Sequence, residues 1–229
     1  MGNKLSRSVF LSHSMVRRMT GGRELRSRSV PLLLTGYAGL LFIAVFTTLG
    51  VLVPSYDPLR ETISGLETTQ LGWAQQANFY VFGVLLCLFA WALHRELQGG
   101  RGGLAIPFFQ ALSGIGVFAD GYFLWPTAAH NVCALIAFNA ALCVLFLFAW
   151  RVWHDVRWRG WATGSILTAV AMMGFLFSFG MLNHHGGPAG LMEKMATVVR
   201  TLWSVALTSR LLSGATLVPA NDPVLTVMK

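Results

Sequence analysis

Of 229 residues, 55% are hydrophobic and only 11% charged, with a formal net charge of +8. An ordinary soluble domain carries roughly a quarter charged residues, so the composition excludes that class and makes lipid the natural solvent. The positive charge does not mark a nucleic-acid binder, because seven of the seventeen Lys and Arg fall in the first thirty residues and most others flank apolar segments, a topology pattern.

Six apolar segments have about the length that crosses a hydrocarbon core, roughly 20 residues each: 31–53, 73–93, 104–124, 130–150, 161–182 and 192–213. The fold class this predicts is all-α, a polytopic bundle of six transmembrane helices forming one domain over 31–213. Residues 1–30 read as a basic, disordered cytoplasmic arm drawn to anionic headgroups, and 214–229 as a short cytoplasmic tail. MGNKLS also fits an N-myristoylation pattern, and the arm's composition an organelle transit peptide. With the N-terminus inside, fourteen of the seventeen basic residues lie on the cytoplasmic side and only Arg60, Lys194 and Arg200 do not, which predicts N-in, C-in. Cys87, Cys133 and Cys143 all lie in apolar segments, where they serve as small apolar residues rather than a disulfide framework.

The first helix begins after Pro31 and is too long for a signal-peptide core. Next comes the longest polar interruption, Pro54 to Leu71, with three of the nine acidic residues. Asp57 and Pro58 read as an N-cap and a first-turn proline, and Leu59, Ile63 and Leu66 recur at helical spacing, so a short external helix is expected. The second span carries Gln75, Gln76 and Asn78 in its first turns. The third holds the small residues Ala111, Ser113, Gly114 and Gly116, which let helices approach closely, and ends near Asp120. The tight connection LWPTAA leads to His130 and Asn131, so Asp120 and His130 should be neighbours. The fifth span ends at Asn183, His184 and His185. The sixth opens with Glu193 and Lys194 and puts Arg200 about two turns into the membrane, where it must snorkel or pair with Glu61, Asp120 or Glu193.

This topology gathers Asp57, Arg60, Glu61, Ser64, Gln75, Asn78, Asp120, His130, Asn131, Asn183, His184, His185, Glu193 and Arg200 at the outer ends. The expectation is an outward-facing polar pocket among the second to sixth helices, lidded by 57–71. The plainer reading is that helix ends are where the membrane stops, so Asp57, Glu67, His184, His185 and Glu193 also suit solvated caps. Arg200, Asn78 and Asp120 also suit a structural network. Asp120, His130, His184 and His185 are donors that zinc accepts, although no HxxxH or HExxH pair joins them. Ser64, Asp120 and His130 are the residue types of a nucleophilic site, although no strand–turn–helix elbow surrounds Ser64, which then reads as a packing or capping serine. No phosphate-binding glycine loop, haem motif or dinucleotide fingerprint appears.

The stretch SYDPLRETISGLE, the third span ending in Asp120, His130-Asn131, and later GLMEK with Leu202-Trp203 resemble the bacterial six-helix family known as domain of unknown function 998. The resemblance covers about 31–213 and is most specific at Asp57, Ile63 and Ser64. Where the family pattern has an acidic residue and then Leu-Gly after the serine, this chain has Gly65, Leu66 and Glu67. The resemblance implies a multi-pass inner-membrane protein and no activity. A more distant similarity is to alkaline ceramidase and progestin-receptor type membrane hydrolases, which combine Ser, Asp and His around zinc within seven helices; Ser64, Asp120, His130 and His184 match in type.

The first functional reading is a binding or structural membrane protein. Its pocket would hold a lipid headgroup, a small amphiphile or a segment of a membrane-protein partner, with Arg60 and Arg200 favouring an anionic group. The rival is a zinc-dependent hydrolase or transferase acting on a membrane lipid. Transport is disfavoured because no span is broken at its centre and the inner half of the spans has few polar groups.

Overall fold

The computed structural model describes residues 30–97, 99–185 and 187–217, so the expected basic arm and tail lie almost wholly outside the described residues. Six long helices follow one another: α1 (Val30–Leu52), α2 (Gly72–Glu96), α3 (Ala105–Tyr122), α4 (Ala128–Val152), α5 (Trp161–His185) and α6 (Ala189–Leu212). Among the described residues there is no strand. The six predicted segments thus appear as helices, with boundaries shifted by a few residues.

By length and composition, four are suited to crossing a membrane: α1, α2, α4 and the Trp161–Asn183 part of α5. The chain is a multi-pass membrane protein. The other two are less apolar for a visible reason. Along α6, Glu193, Thr197, Arg200, Thr201, Ser204 and Thr208 recur at helical spacing and turn inward, with Glu193, Thr201, Ser204 and Thr208 buried. In α3, Gln110, Ser113 and Asp120 are buried in the same way. Their polarity belongs to the interior of the bundle rather than to its lipid-facing surface. Gln110, Ser165, Ser204 and Thr208 also carry buried polar groups deeper than the sequence led us to expect.

Close approach is set by small residues, as expected for α3. A Cβ on Gly83 of α2 would lie 2.7 Å from the carbonyl oxygen of Gly114 on α3, and one on Gly116 would lie 3.0 Å from Ala137 of α4. In α1, which includes a 3₁₀ turn at Thr35–Tyr37, Gly36 and Gly39 face the Thr208 and Thr201 side chains of α6 with no room for a Cβ. Backbone contact of this kind gains packing where burial from water contributes nothing.

Two apolar clusters fill the bundle. One groups Phe89, Leu93, Leu145, Phe148, Trp158, Trp203 and Leu207. The other groups Phe42, Phe46, Leu49, Val53, Tyr56, Ile63, Leu66 and Phe79 beneath the α1–α2 connection. The α2–α3, α4–α5 and post-α6 segments meet at one end: Arg151 donates to the carbonyls of Gly99 (2.9 Å), Arg101 (2.7 Å) and Leu217 (2.6 Å), and Arg210 to that of Arg157 (2.6 Å). The α1–α2, α3–α4 and α5–α6 connections meet at the other end, which holds the candidate site.

If backbone contact between α2 and α3 holds the bundle, Gly83→Ala should lower thermal stability in detergent, because overpacking costs roughly 1–3 kcal/mol. Gly174→Ala is the control, since its Cβ would meet open space. Melting curves of the two variants should separate by several degrees.

Candidate functional site

The α1–α2 connection forms a strap folded into the end of the bundle. The short helix expected to open at Asp57-Pro58 starts later: turns run over residues 58–60 and a 3₁₀ helix follows at Ser64–Thr68. The Asp57 carboxylate does act as an opening cap, its Oδ1 accepting from the Leu59 N–H at 2.9 Å. The helix is not α because the backbone is pulled elsewhere. The Gly190 and Leu191 N–H groups, at the start of α6, donate to the carbonyls of Arg60 (3.0 Å) and Leu59 (2.9 Å). Lys194 Nζ donates to the Glu61 carbonyl at 2.8 Å, and the Ile63 N–H to Glu193 Oε2 at 2.8 Å. Gly190 is required here, because a Cβ would overlap the Glu61 carbonyl oxygen. Tyr56 closes the strap by donating to the Thr62 carbonyl at 2.8 Å. Burial, and then the Glu193, Glu61 and Asp57 carboxylates, push its phenol pKa up, so it stays a donor.

The strap carries Ser64 to His130. Ser64 Oγ and His130 Nε2 are 2.8 Å apart, and both residues are buried. His130 Nδ1 lies 2.8 Å from the Phe123 carbonyl and 3.1 Å from that of Asp120. A carbonyl oxygen only accepts, so Nδ1 carries the proton. The neutral ring then presents the Nε2 lone pair to the Ser64 hydroxyl. Phe79 and Trp125 pack edge-on against the ring and hold its plane. The expected closeness of Asp120 and His130 is present, and it runs through the Asp120 backbone. The Asp120 carboxylate instead lines the central cavity, with Oδ1 buried and without a hydrogen-bond partner.

Glu67 is the residue that sequence reasoning missed. It was weighed as a solvated loop acid, yet it is buried, accepts from the Trp125 N–H at 3.0 Å and brings Oε2 within 3.8 Å of His130 Nδ1. That separation is an electrostatic neighbour's and too long for a hydrogen bond. Burial pushes its carboxyl up to about 7, against the Trp125 N–H, which pulls it down. Its spacing of three residues from Ser64 was the available signal, since that puts two polar side chains on one side of a short helix.

A cavity of about 90 Å³ lies behind the strap, several times the roughly 10–15 Å³ that one water needs on that measure. Its wall includes Ser64, Asp120, Glu193, Arg200, Thr201 and Ser204 together with Phe42, Phe79, Phe82 and Phe138. It also includes Gly36 and Gly39, so α1 joins the helices expected to line it. Of the two courses expected for Arg200, snorkelling outward or pairing with an acid, the acid pair is not formed. The guanidinium donates to Ser204 Oγ and, at 2.6 Å, to Gln110 Oε1, and stacks on Trp203, while Nε is buried without a partner.

The other candidates are spread more widely. Asp57 and Arg60 form an exposed pair at 3.7 Å on the outside of the strap. Glu61 accepts from the Asp57 N–H at 2.9 Å. Asn78 donates to the Phe42 carbonyl at 3.2 Å and ties α2 to α1. Asn131, Asn183 and His185 are exposed, while the side chain of His184 lies outside those described. Among the described residues, no group of three or more His, Cys, Asp or Glu converges as metal ligands would.

A family model described as protein of unknown function (DUF998) matches residues 37–210. The chain belongs to that family, whose description gives no activity. No curated protein and no solved structure matches, and the likeness to alkaline ceramidase-type hydrolases rests on residue types alone.

A carboxyl at about 7 in the folded protein and at its ordinary 4.5 when unfolded favours folding most at low pH. That contribution is fully present below about 4.5 and is lost as pH rises to about 7. Glu67→Gln keeps an acceptor for the Trp125 N–H and removes the titration. Denaturation midpoints measured across that window should fall less steeply for Glu67→Gln than for the native protein, and equal slopes would count against the buried position of Glu67.

Proposed function

We propose that this member of the family crosses the membrane six times, with the strap on the outer side, and binds an anionic amphiphile or lipid headgroup in its central cavity. Arg200 is the observation that carries this reading. A guanidinium inside a helical bundle is expensive unless its charge is compensated. Here it contacts a neutral amide and a hydroxyl, keeps one buried N–H without a partner, and forms part of a cavity wall. A carboxylate or phosphate entering the cavity supplies the missing countercharge, and Arg suits such groups because its fork of donors matches their oxygens. The phenylalanines of the same wall suit an apolar chain. The size favours a headgroup or a short single chain over a whole two-chain lipid.

Orientation follows from charge. Arg95, Arg101, Arg151, Arg157, Arg159 and Arg210 belong to the end opposite the strap, whereas Arg60 and Lys194 are at the strap end. The positive-inside rule assigns the arginine-rich end to the cytoplasm. Lipids of the surrounding bilayer are then the natural source of the ligand.

The test is a thermal titration of the protein in nonionic detergent with decyl phosphate, decanoate and uncharged decanol. The two anions should raise the melting temperature and decanol should not; at a hundred times Kd the gain is about 2.7 kcal/mol. Arg200→Gln should abolish the rise. Equal shifts with decanol, or shifts that persist in Arg200→Gln, would overturn anion recognition at this residue.

A further inference from the structure

We propose that Ser64 and His130 form a nucleophile–base pair, and that the protein cleaves or transfers the acyl group of an ester held in the cavity. The substrate class rests on the amphiphile reading above; the dyad itself rests on separate geometry. A serine hydroxyl is a weak nucleophile until a base accepts its proton. Here the base lies at 2.8 Å with its lone pair directed at Oγ, because the Phe123 carbonyl at 2.8 Å and the Asp120 carbonyl at 3.1 Å hold the proton on the opposite ring nitrogen. Backbone carbonyls thus fill the orienting role that a carboxylate fills in the familiar triad. Glu67, with Oε2 at 3.8 Å from Nδ1, places a carboxyl where positive charge develops on the ring. Ser64 is part of the cavity wall, so the dyad adjoins the space that an acyl ester would enter.

A plain structural serine accounts for less of this arrangement. Holding the strap needs only a hydrogen bond, and the strap already has several from α6 and the α3–α4 connection. It does not need a histidine whose tautomer is fixed by two carbonyls, walled by Phe79 and Trp125, with an acid beside it.

The chemistry closes with water or an alcohol as second substrate. Ser64 Oγ attacks the ester carbonyl carbon as its proton passes to His130 Nε2, and the carbonyl π pair moves onto oxygen. When that pair returns, the bond to the leaving alkoxide breaks, and His130 returns the proton to release the alcohol. Water then adds to the acyl-serine, giving its proton to His130. Collapse frees the carboxylic acid and restores Ser64; an incoming alcohol in place of water gives a new ester.

The experiment is covalent labelling of the full-length protein in detergent with diisopropyl fluorophosphate, read by intact mass and peptide mapping. Oγ–P forms, P–F breaks, and fluoride leaves while His130 takes the proton. We expect one adduct per chain, on Ser64. It should be absent in Ser64→Ala and form roughly 100-fold or more slowly in His130→Gln, as for loss of a general base. Hydrolysis of p-nitrophenyl decanoate should fall in parallel. Because His130→Gln could disturb the buried site, the native protein decides. No adduct on Ser64, or one that forms equally fast without His130, overturns the dyad and leaves the contact as a tether. This small neutral reagent does not need Arg200. Labelling without any response to decyl phosphate therefore keeps the dyad and removes the anionic ligand, whereas a decyl phosphate response without labelling does the reverse.

Discussion

A polar strap is folded into the end of a bundle that is otherwise built for lipid, and every backbone group it buries needs a partner there. Irregular backbone is tolerated at membrane depth only where protein or a wet cavity satisfies it. The partners come from three directions. The first turns of α6 supply the Gly190 and Leu191 N–H groups, Lys194 and the Glu193 carboxylate. The α3–α4 connection supplies the Trp125 N–H for Glu67, and α4 supplies His130 for Ser64. Tyr56 closes the strap on itself. Satisfying the strap fixes where three helix ends sit relative to one another, and with them the cavity below.

The polar stripe of α6 follows from the same constraint. Once Glu193 is committed to the strap, the residues one, two and three turns further on look into the middle of the bundle, and Thr197, Arg200, Thr201 and Ser204 occupy them. Close contacts at Gly36, Gly39, Gly83 and Gly114 bring the surrounding helices near enough to cover that stripe. A helix of this composition would be poorly placed against lipid on its own; it is packed against α1 and α5, and Arg200 reaches Gln110 of α3. The balance explains why composition alone marks four spans while the structure has six long helices.

Much of the fold was legible in the sequence because apolar length and small-residue spacing are local properties. The six helices, the tight packing of Gly114 and Gly116, and the proximity of Asp120 to His130 all follow from them. The site was legible only in part. Ser64 and His130 are 66 positions apart, and their contact depends on how deeply the strap enters, which no periodicity encodes. Glu67 looked like a loop acid because its partner, the Trp125 N–H, belongs to another connection far along the chain. Leu59, Ile63 and Leu66 had helical spacing, but only Ile63 and Leu66 are buried, since the Arg60 and Leu59 carbonyls bond to α6 instead of continuing a helix. Arg200 was expected to snorkel outward or to find an acid; the structure gives it Gln110 and Ser204, and the carboxyls of Asp120 and Glu193 lie elsewhere on the same wall.

That separation has a chemical consequence. Glu193 touches Ile63, the residue before Ser64, and Arg200 lies seven residues further along α6, roughly 10 Å at about 1.5 Å per residue. The cavity wall therefore carries polar groups at two levels of α6, one at the strap and one near the middle of the bundle, and phenylalanines belong to the same wall. A ligand with a single polar head satisfies one level and leaves the other dry. On the proposed reading, a ligand with an anionic group and a second polar function a short apolar distance away would satisfy both, with its anion at Arg200 and its second function beside Ser64. On that reading an ester or amide at the second position would lie beside Ser64, whereas a free amphiphile of the same length would only fill the space. On the proposed reading, binding and chemistry would be graded outcomes of one geometry, and the bond that the ligand places at the strap would decide between them.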